Sequence, residues 1–296
     1  MNKIYLICDE SGSKGFSDNK EKTVGEFGIF AGYFLNESNI ESLKSEFKAI
    51  YDKYSTEDGK LHITDLKSSL QETLRNEVFE CLKKNEVSCV FEAISVQGFN
   101  INFENTNEIR QEQINHLIDK FSFSKNSNAI RLHSELFQGL FGKAIAYYID
   151  KYGDENINLK VITDNIDNPL KIEFEQKANE LIKPFPEIAK IKAYDKTKKE
   201  PIVKDLEFKS KELQADNISK TKFELIVDDN EFTLIADILA NSLLYYIRQE
   251  VEKNHNINLN SLDAIKNHPL SNSFYGLSDE SNINIVSDII YGRKEE

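Results

Sequence analysis

Cysteine is scarce in this chain and poorly spaced for chemistry. Cys8, Cys81 and Cys89 form an odd count without metal-ligand spacing, which excludes a disulfide framework and a paired-cysteine metal knuckle. Two of them lie in strand-like apolar runs and read as reduced core thiols, so the expected compartment is cytosolic. Long apolar runs are also missing. The amino end has one lysine and then a short apolar run broken at Asp9, which predicts neither a signal peptide nor a membrane span. No later segment approaches membrane length, and the expectation is a soluble protein with no membrane partner. Positive charge is in deficit, with 37 basic residues against 50 acids and a net charge of −13. That balance argues against a protein that simply coats nucleic acid. It leaves room for an enzyme whose carboxylates meet phosphate through metal ions. There is no internal repeat, low-complexity tract or serine-elbow motif, and Gly12-Ser13-Lys14-Gly15 lacks the spacing of a P-loop. Kinase and α/β-hydrolase chemistry therefore rank low.

What is present is a mixed strand and helix text, enough for one large domain or two ordinary ones at 296 residues. Strand patterns occupy Lys3 to Cys8, Val24 to Leu35 and Val87 to Val96, the first two forming a hairpin through the polar loop Ser11 to Lys22. Helical spacing covers Glu37 to Tyr54, a segment ending near Lys84, Asn105 to Phe121 and Ile130 to Tyr152. A strand at Leu159 to Thr163 and a helix at Leu170 to Ile182 follow. Beyond them come a short strand at Glu187 to Tyr194, a lysine-rich loop, a strand at Lys222 to Val227 and a strong helix at Glu231 to Lys253. The fold class is α/β, a mixed β-sheet flanked by helices with helical insertions. Residues 1–253 form the domain, and residues 254–296 read as a polar C-terminal extension.

Three acids stand at chemically suggestive places. The run Ile4-Tyr5-Leu6-Ile7-Cys8 delivers Asp9-Glu10-Ser11-Gly12, and Leu159-Lys160-Val161-Ile162-Thr163 delivers Asp164, with Asp167 close behind. Asp237 lies in the apolar, small-residue stretch Leu234 to Ala240. Taken alone, Asp9 to Gly12 is equally a polar turn, and Asp237 equally half of a buried ion pair. Taken together, parallel strands would bring Asp9 and Asp164 to one edge, where open α/β sheets place their sites, and the late helix could add Asp237. Converging carboxylates repel unless a divalent cation joins them, and hard oxygen donors select Mg2+ or Mn2+. Two such ions roughly 4 Å apart suit phosphodiester hydrolysis.

The two ends that carry these acids, Ile4 to Gly12 and Leu234 to Ala240, resemble the signature ends of the domain of unknown function 3800 family. That family is similar to ribonuclease-H-like folds. The resemblance implies strand-end ligands Asp9 and Asp164 and a last-helix ligand Asp237, with Glu10 as a fourth ligand or a water-orienting residue. It spans roughly Met1 to Arg248, specific only at its two ends. The second acid, Asp167, leaves the middle ligand open. The expected function is a metal-dependent nuclease acting on DNA or RNA, in a mobile-element or antiviral setting where a protein partner could add specificity. The alternatives are a non-catalytic interaction or regulatory protein on the same fold, or a nucleotide phosphohydrolase.

Secondary expectations concern the flanks. His62 or Asp65 in Gly59 to Asp65 could face substrate, although Thr64 or Asp65 equally suits a helix cap. His133 and Glu135 form an incidental pair, since positions two apart on a helix do not face each other. The window Lys183 to Lys211 holds nine lysines and five acids, either a solvated face or a phosphate-contacting groove, and Lys14 could join it.

Overall fold

Alternating apolar residues build the first strand, and pairing on both its sides sets the architecture. In the computed structural model, which describes residues 3–23, 25–55, 61–115, 121–123, 129–153, 157–182, 187–208, 221–253 and 261–276, β1 (Lys3–Gly12) lies at the centre of a five-stranded mixed sheet. On one side it pairs antiparallel with β2 (Phe27–Asn36), which pairs antiparallel with β3 (Cys89–Ser95). On the other side it pairs in parallel with β5 (Asn158–Thr163), which pairs in parallel with β8 (Lys222–Val227). The hairpin expected of the first two strands is present. Gly12 ends β1 at φ +85°, where a Cβ would stand 2.2 Å from the Phe27 carbonyl oxygen, so only glycine fits this turn.

Strand alternation sorts the side chains into two cores. Ile7, Ile29, Tyr33 and Phe91 face one layer, made by α1 (Glu37–Tyr54), α2 (Ser68–Lys84) and α6 (Glu231–Lys253). Leu6, Cys8, Phe30 and Val90 face the other, made by α4 (Leu132–Tyr152) and α5 (Asn168–Ile182). The result is a helix–sheet–helix sandwich in which every residue of β2 from Phe27 to Leu35 is buried. All three cysteines are buried thiols. Among the described residues, no helix is long and apolar enough to cross a membrane.

Two expectations change. The helix expected from Asn105 starts directly after β3, as α3 (Val96–Asn115), because Ser95 Oγ accepts the Gly98 N–H at 3.3 Å and caps the chain as it leaves the sheet. The lysine-rich loop is also partly strand. β6 (Glu187–Asp195) and β7 (Glu200–Phe208) form an antiparallel hairpin, and β4 (Phe121–Phe123) pairs beside it. Cross-strand hydrogen bonding builds β7 despite its charged residues.

The described part of the carboxyl-terminal region, 261–276, joins the α6-side core through Ala264, Ile265, Leu270 and Phe274, and the Tyr275 N–H donates to the Cys89 carbonyl at 2.8 Å. Buried His268 locks this segment down. Its Nδ1 accepts the Leu270 N–H at 3.0 Å, so the ring proton sits on Nε2 and faces Ser242 Oγ at 2.9 Å. That tautomer excludes His268 as a base for Ser242. Burial pushes the His268 pKa down to about 4, helped by the charge on Lys83. The unfolded chain therefore binds more protons than the folded one below pH 6.5, and stability is lost as the pH falls from about 6.5 towards 4. We expect urea midpoints to show about 3 kcal/mol of this loss in the wild type, and most of it to vanish in His268→Gln.

Candidate functional site

The three parallel strands all end in acids. Cys8 opposite Thr163 is the last paired position between β1 and β5, so Asp9 and Asp164 are the next residues out on adjacent strands. Thr163 opposite Val227 ends the pairing of β5 with β8, and Asp228 and Asp229 follow. β1 continues to Gly12 against β2, which carries Asp9 and Glu10 past the end of β5.

Alternation then splits the first pair. Asp9 follows Ile7 to the α6 side and interacts with Asp237, whereas Glu10 follows Cys8 to the α4 side and faces His133. Asp9 is 6% exposed, and its Oδ1 accepts the Glu10 N–H at 2.8 Å. Among the described residues, no cation lies within ion-pairing distance of it. Burial, then the charge and shared hydrogen bond of Glu10, then the charge of Asp237 push the Asp9 carboxyl well above the usual carboxylate range. Glu10 moves the other way. Burial alone would raise it, but His133, with Nε2 3.6 Å from Oε2, and the Lys14 ammonium paired to Oε1 hold it below the usual range.

Asp237 is partly buried on α6, where the Ile63 N–H donates to Oδ2 at 3.1 Å. His62, whose side chain is 44% exposed, places Nδ1 3.9 Å from the same oxygen. The His62 segment thus lies against Asp237. Asp65 and Thr64 are exposed, and neither caps α2, whose N-cap is Lys67. One turn along α6 from Asp237, Asn241 accepts a 2.7 Å hydrogen bond from Arg75 Nη2, which puts a guanidinium on this flank.

The two middle acids separate by local geometry. Asp167 Oδ1 accepts the Leu170 N–H at 2.8 Å and caps α5, a structural task. Asp164 stays at the strand end, its Oδ1 accepting the Asn165 N–H at 2.5 Å.

His133 and Glu135 do not pair with each other, in keeping with their spacing, but His133 has a partner that the spacing does not show. Glu135 pairs with Lys177 at 2.5 Å, while His133 is buried between Phe30 and Phe174 and faces Glu10. Its spacing with Phe137, Leu140 and Phe141 puts it on the buried stripe of α4, a signal readable in the sequence. Lys14 pairs with Glu10, and its side chain is largely exposed. Asp228 and Asp229 repeat the pattern of an apolar run ending in acid, a signal readable in the sequence. Asp228 accepts the Asn230 side-chain amide at 2.7 Å, and Asn230 caps α6.

Asp9, Asp164 and Asp237 are thus brought to one edge of the sheet, Asp9 and Asp164 by strand register and Asp237 by its interaction with Asp9. Among the described residues, no three histidine, cysteine, aspartate or glutamate side chains form a ready-made metal cage. No family model matches this chain, and no curated protein matches it significantly.

Proposed function

We propose that this chain is a Mg2+- or Mn2+-dependent nuclease with a ribonuclease-H-like fold, hydrolysing phosphodiester bonds of nucleic acid. The observation that carries the reading is Asp9: a buried carboxylate whose charged neighbours among the described residues are the acids Glu10 and Asp237, with no cation in ion-pairing distance. Such an arrangement is costly in an apo protein, and a divalent cation is the partner that would offset the cost. A first strand between an antiparallel meander and parallel strands, with acids at the parallel ends and on the long helix α6, supports the fold assignment.

The donor set fits hard divalent ions, with Asp9, Asp164 and Asp237 as the residues that would hold them. When bound, such an ion supplies charge neutralisation at the phosphate and activates water for attack. The chain's own residues prepare the rest. The Ile63 N–H fixes the direction of Asp237, and His62 stands exposed beside it. The Lys14 ammonium pairs with Glu10 and His133 faces it, which suits Glu10 to orienting a water more than to holding a metal.

Saturating Mn2+ is expected to raise the melting temperature by several degrees over protein in chelator, since ligand at a hundred times its Kd stabilises by about 2.7 kcal/mol. Labelled single- and double-stranded DNA and RNA should be cut with Mg2+ or Mn2+ and left intact in chelator. Cleavage that persists in chelator, or a melting temperature indifferent to both metals, would overturn the proposal.

A further inference from the structure

The β6–β7 hairpin lies outside the five-stranded sheet, and three of its lysines gather at its turn. Its turn, Lys196 to Lys199, is exposed and carries three lysines, with Lys199 at φ +56°. The turn is built rather than loose. Buried Asp195 accepts the N–H groups of Thr197 and Lys198 at 2.9 and 3.0 Å, which fixes the backbone of the turn that carries the three exposed lysines.

The register adds an aromatic surface. Tyr194 is opposite Pro201, and Val203 is opposite Lys192, so Tyr194 and Val203 are diagonal neighbours on one face of the hairpin. They are 44% and 58% exposed. An exposed tyrosine beside clustered lysines matches the way single-stranded nucleic acid is held, with a base stacked on the ring and phosphates on ammonium groups.

The tip also has a defined reach. β4 pairs with it, Phe121 opposite Asp195 and Phe123 opposite Ala193. The chain from Phe123 to Ile130 spans at most about 25 Å. Ile130 is bonded to Ser17 through both backbone groups, its N–H to Ser17 Oγ and its carbonyl to the Ser17 N–H, each at 2.8 Å. Ser17 belongs to the loop that leaves the carboxylate end of β1.

We infer that the tip of the β6–β7 hairpin is a binding arm for single-stranded nucleic acid, with Tyr194 stacking on a base and Lys196, Lys198 and Lys199 taking the backbone phosphates, one strand reaching from the arm to the carboxylate edge. The inference rests on the nuclease reading for the destination of the strand, but the arm's binding needs no metal.

The test is fluorescence anisotropy of a labelled single-stranded oligonucleotide with the full chain in chelator, across a salt series, beside melting curves with and without Mn2+. The triple variant Lys196→Ala, Lys198→Ala, Lys199→Ala should bind roughly tenfold or more weakly, with the salt slope reduced by about 2. Tyr194→Ala should weaken binding by roughly fivefold to a hundredfold with the slope unchanged. Both variants should melt like wild type and keep its response to Mn2+. Wild-type affinity and slope in the triple variant would overturn the arm while leaving the metal site standing. Loss of the metal response in Asp9→Asn, with oligonucleotide binding retained, would separate the two sites. Duplex bound as tightly as single strand, with Tyr194→Ala silent, would also overturn it.

Discussion

Asp9→Asn is expected to lower hydrolysis by roughly a thousandfold or more, the rate equivalent of the several kcal/mol that a bound metal supplies to a phosphoryl transition state. The same variant should fold at least as well as wild type in chelator. Asparagine keeps the shape of aspartate and can still accept the Glu10 N–H, but it removes a charge from a site that is 6% exposed and flanked by Glu10 and Asp237. The sign with pH follows from the direction of the shift. The Asp9 carboxyl is raised when folded, so the folded chain holds the proton more tightly, and that stabilisation is complete below about pH 3.8. It is lost as the pH rises through the folded value. The apo stability of Asp9→Asn relative to wild type should therefore grow with pH, while its melting temperature no longer responds to Mn2+. Opposite movements of activity and apo stability are the mark of a functional carboxylate. A structural ion pair would lose stability on substitution, and an Asp9→Asn protein that melts well below wild type in chelator while cutting normally would place Asp9 in that class.

The local part of this site was legible because strand ends are local. An apolar run terminated by an acid marks Asp9 and Asp164 without any knowledge of pairing, and Asp237 stands out by the apolar residues around it. β8 and α6 follow the same logic, and both have the expected bounds. What stayed hidden depends on distant residues. His133 is bland in α4 until β1 brings Glu10 to it, and β7 reads as a charged loop until β6 supplies its hydrogen bonds. The start of α3 was obscured because Val96 continues the apolar content of β3, so periodicity alone could not find the boundary that Ser95 sets. Asp164 and Asp167 differ only in cap geometry, which depends on where α5 begins.

A buried pair that sequence patterning did not single out yields the largest expected loss of stability. Glu92 on β3 and Lys143 on α4 have side chains 4% and 2% exposed, with Nζ 3.1 Å from Oε2, and Nζ also donates to the Phe91 carbonyl at 3.1 Å. Gly139, one turn earlier on α4, makes the room, since a Cβ there would stand 2.8 Å from the Glu92 carboxyl carbon. Lys143→Met keeps most of the volume but removes the cation from a carboxylate inside the core, a change that typically costs about 3–5 kcal/mol. Urea unfolding should show that loss. The double variant Glu92→Met, Lys143→Met should recover most or all of it, because a packed apolar pair avoids desolvating two charges. A loss below about 1 kcal/mol in Lys143→Met would show that the core accommodates Glu92 without this cation. The same helix holds His133 against Glu10, so the double variant also tests what the pair is for. Restored stability with wild-type hydrolysis assigns the pair to folding alone. Restored stability with reduced hydrolysis assigns it to seating α4 at the height where His133 meets Glu10, and makes the buried charges part of the site's geometry.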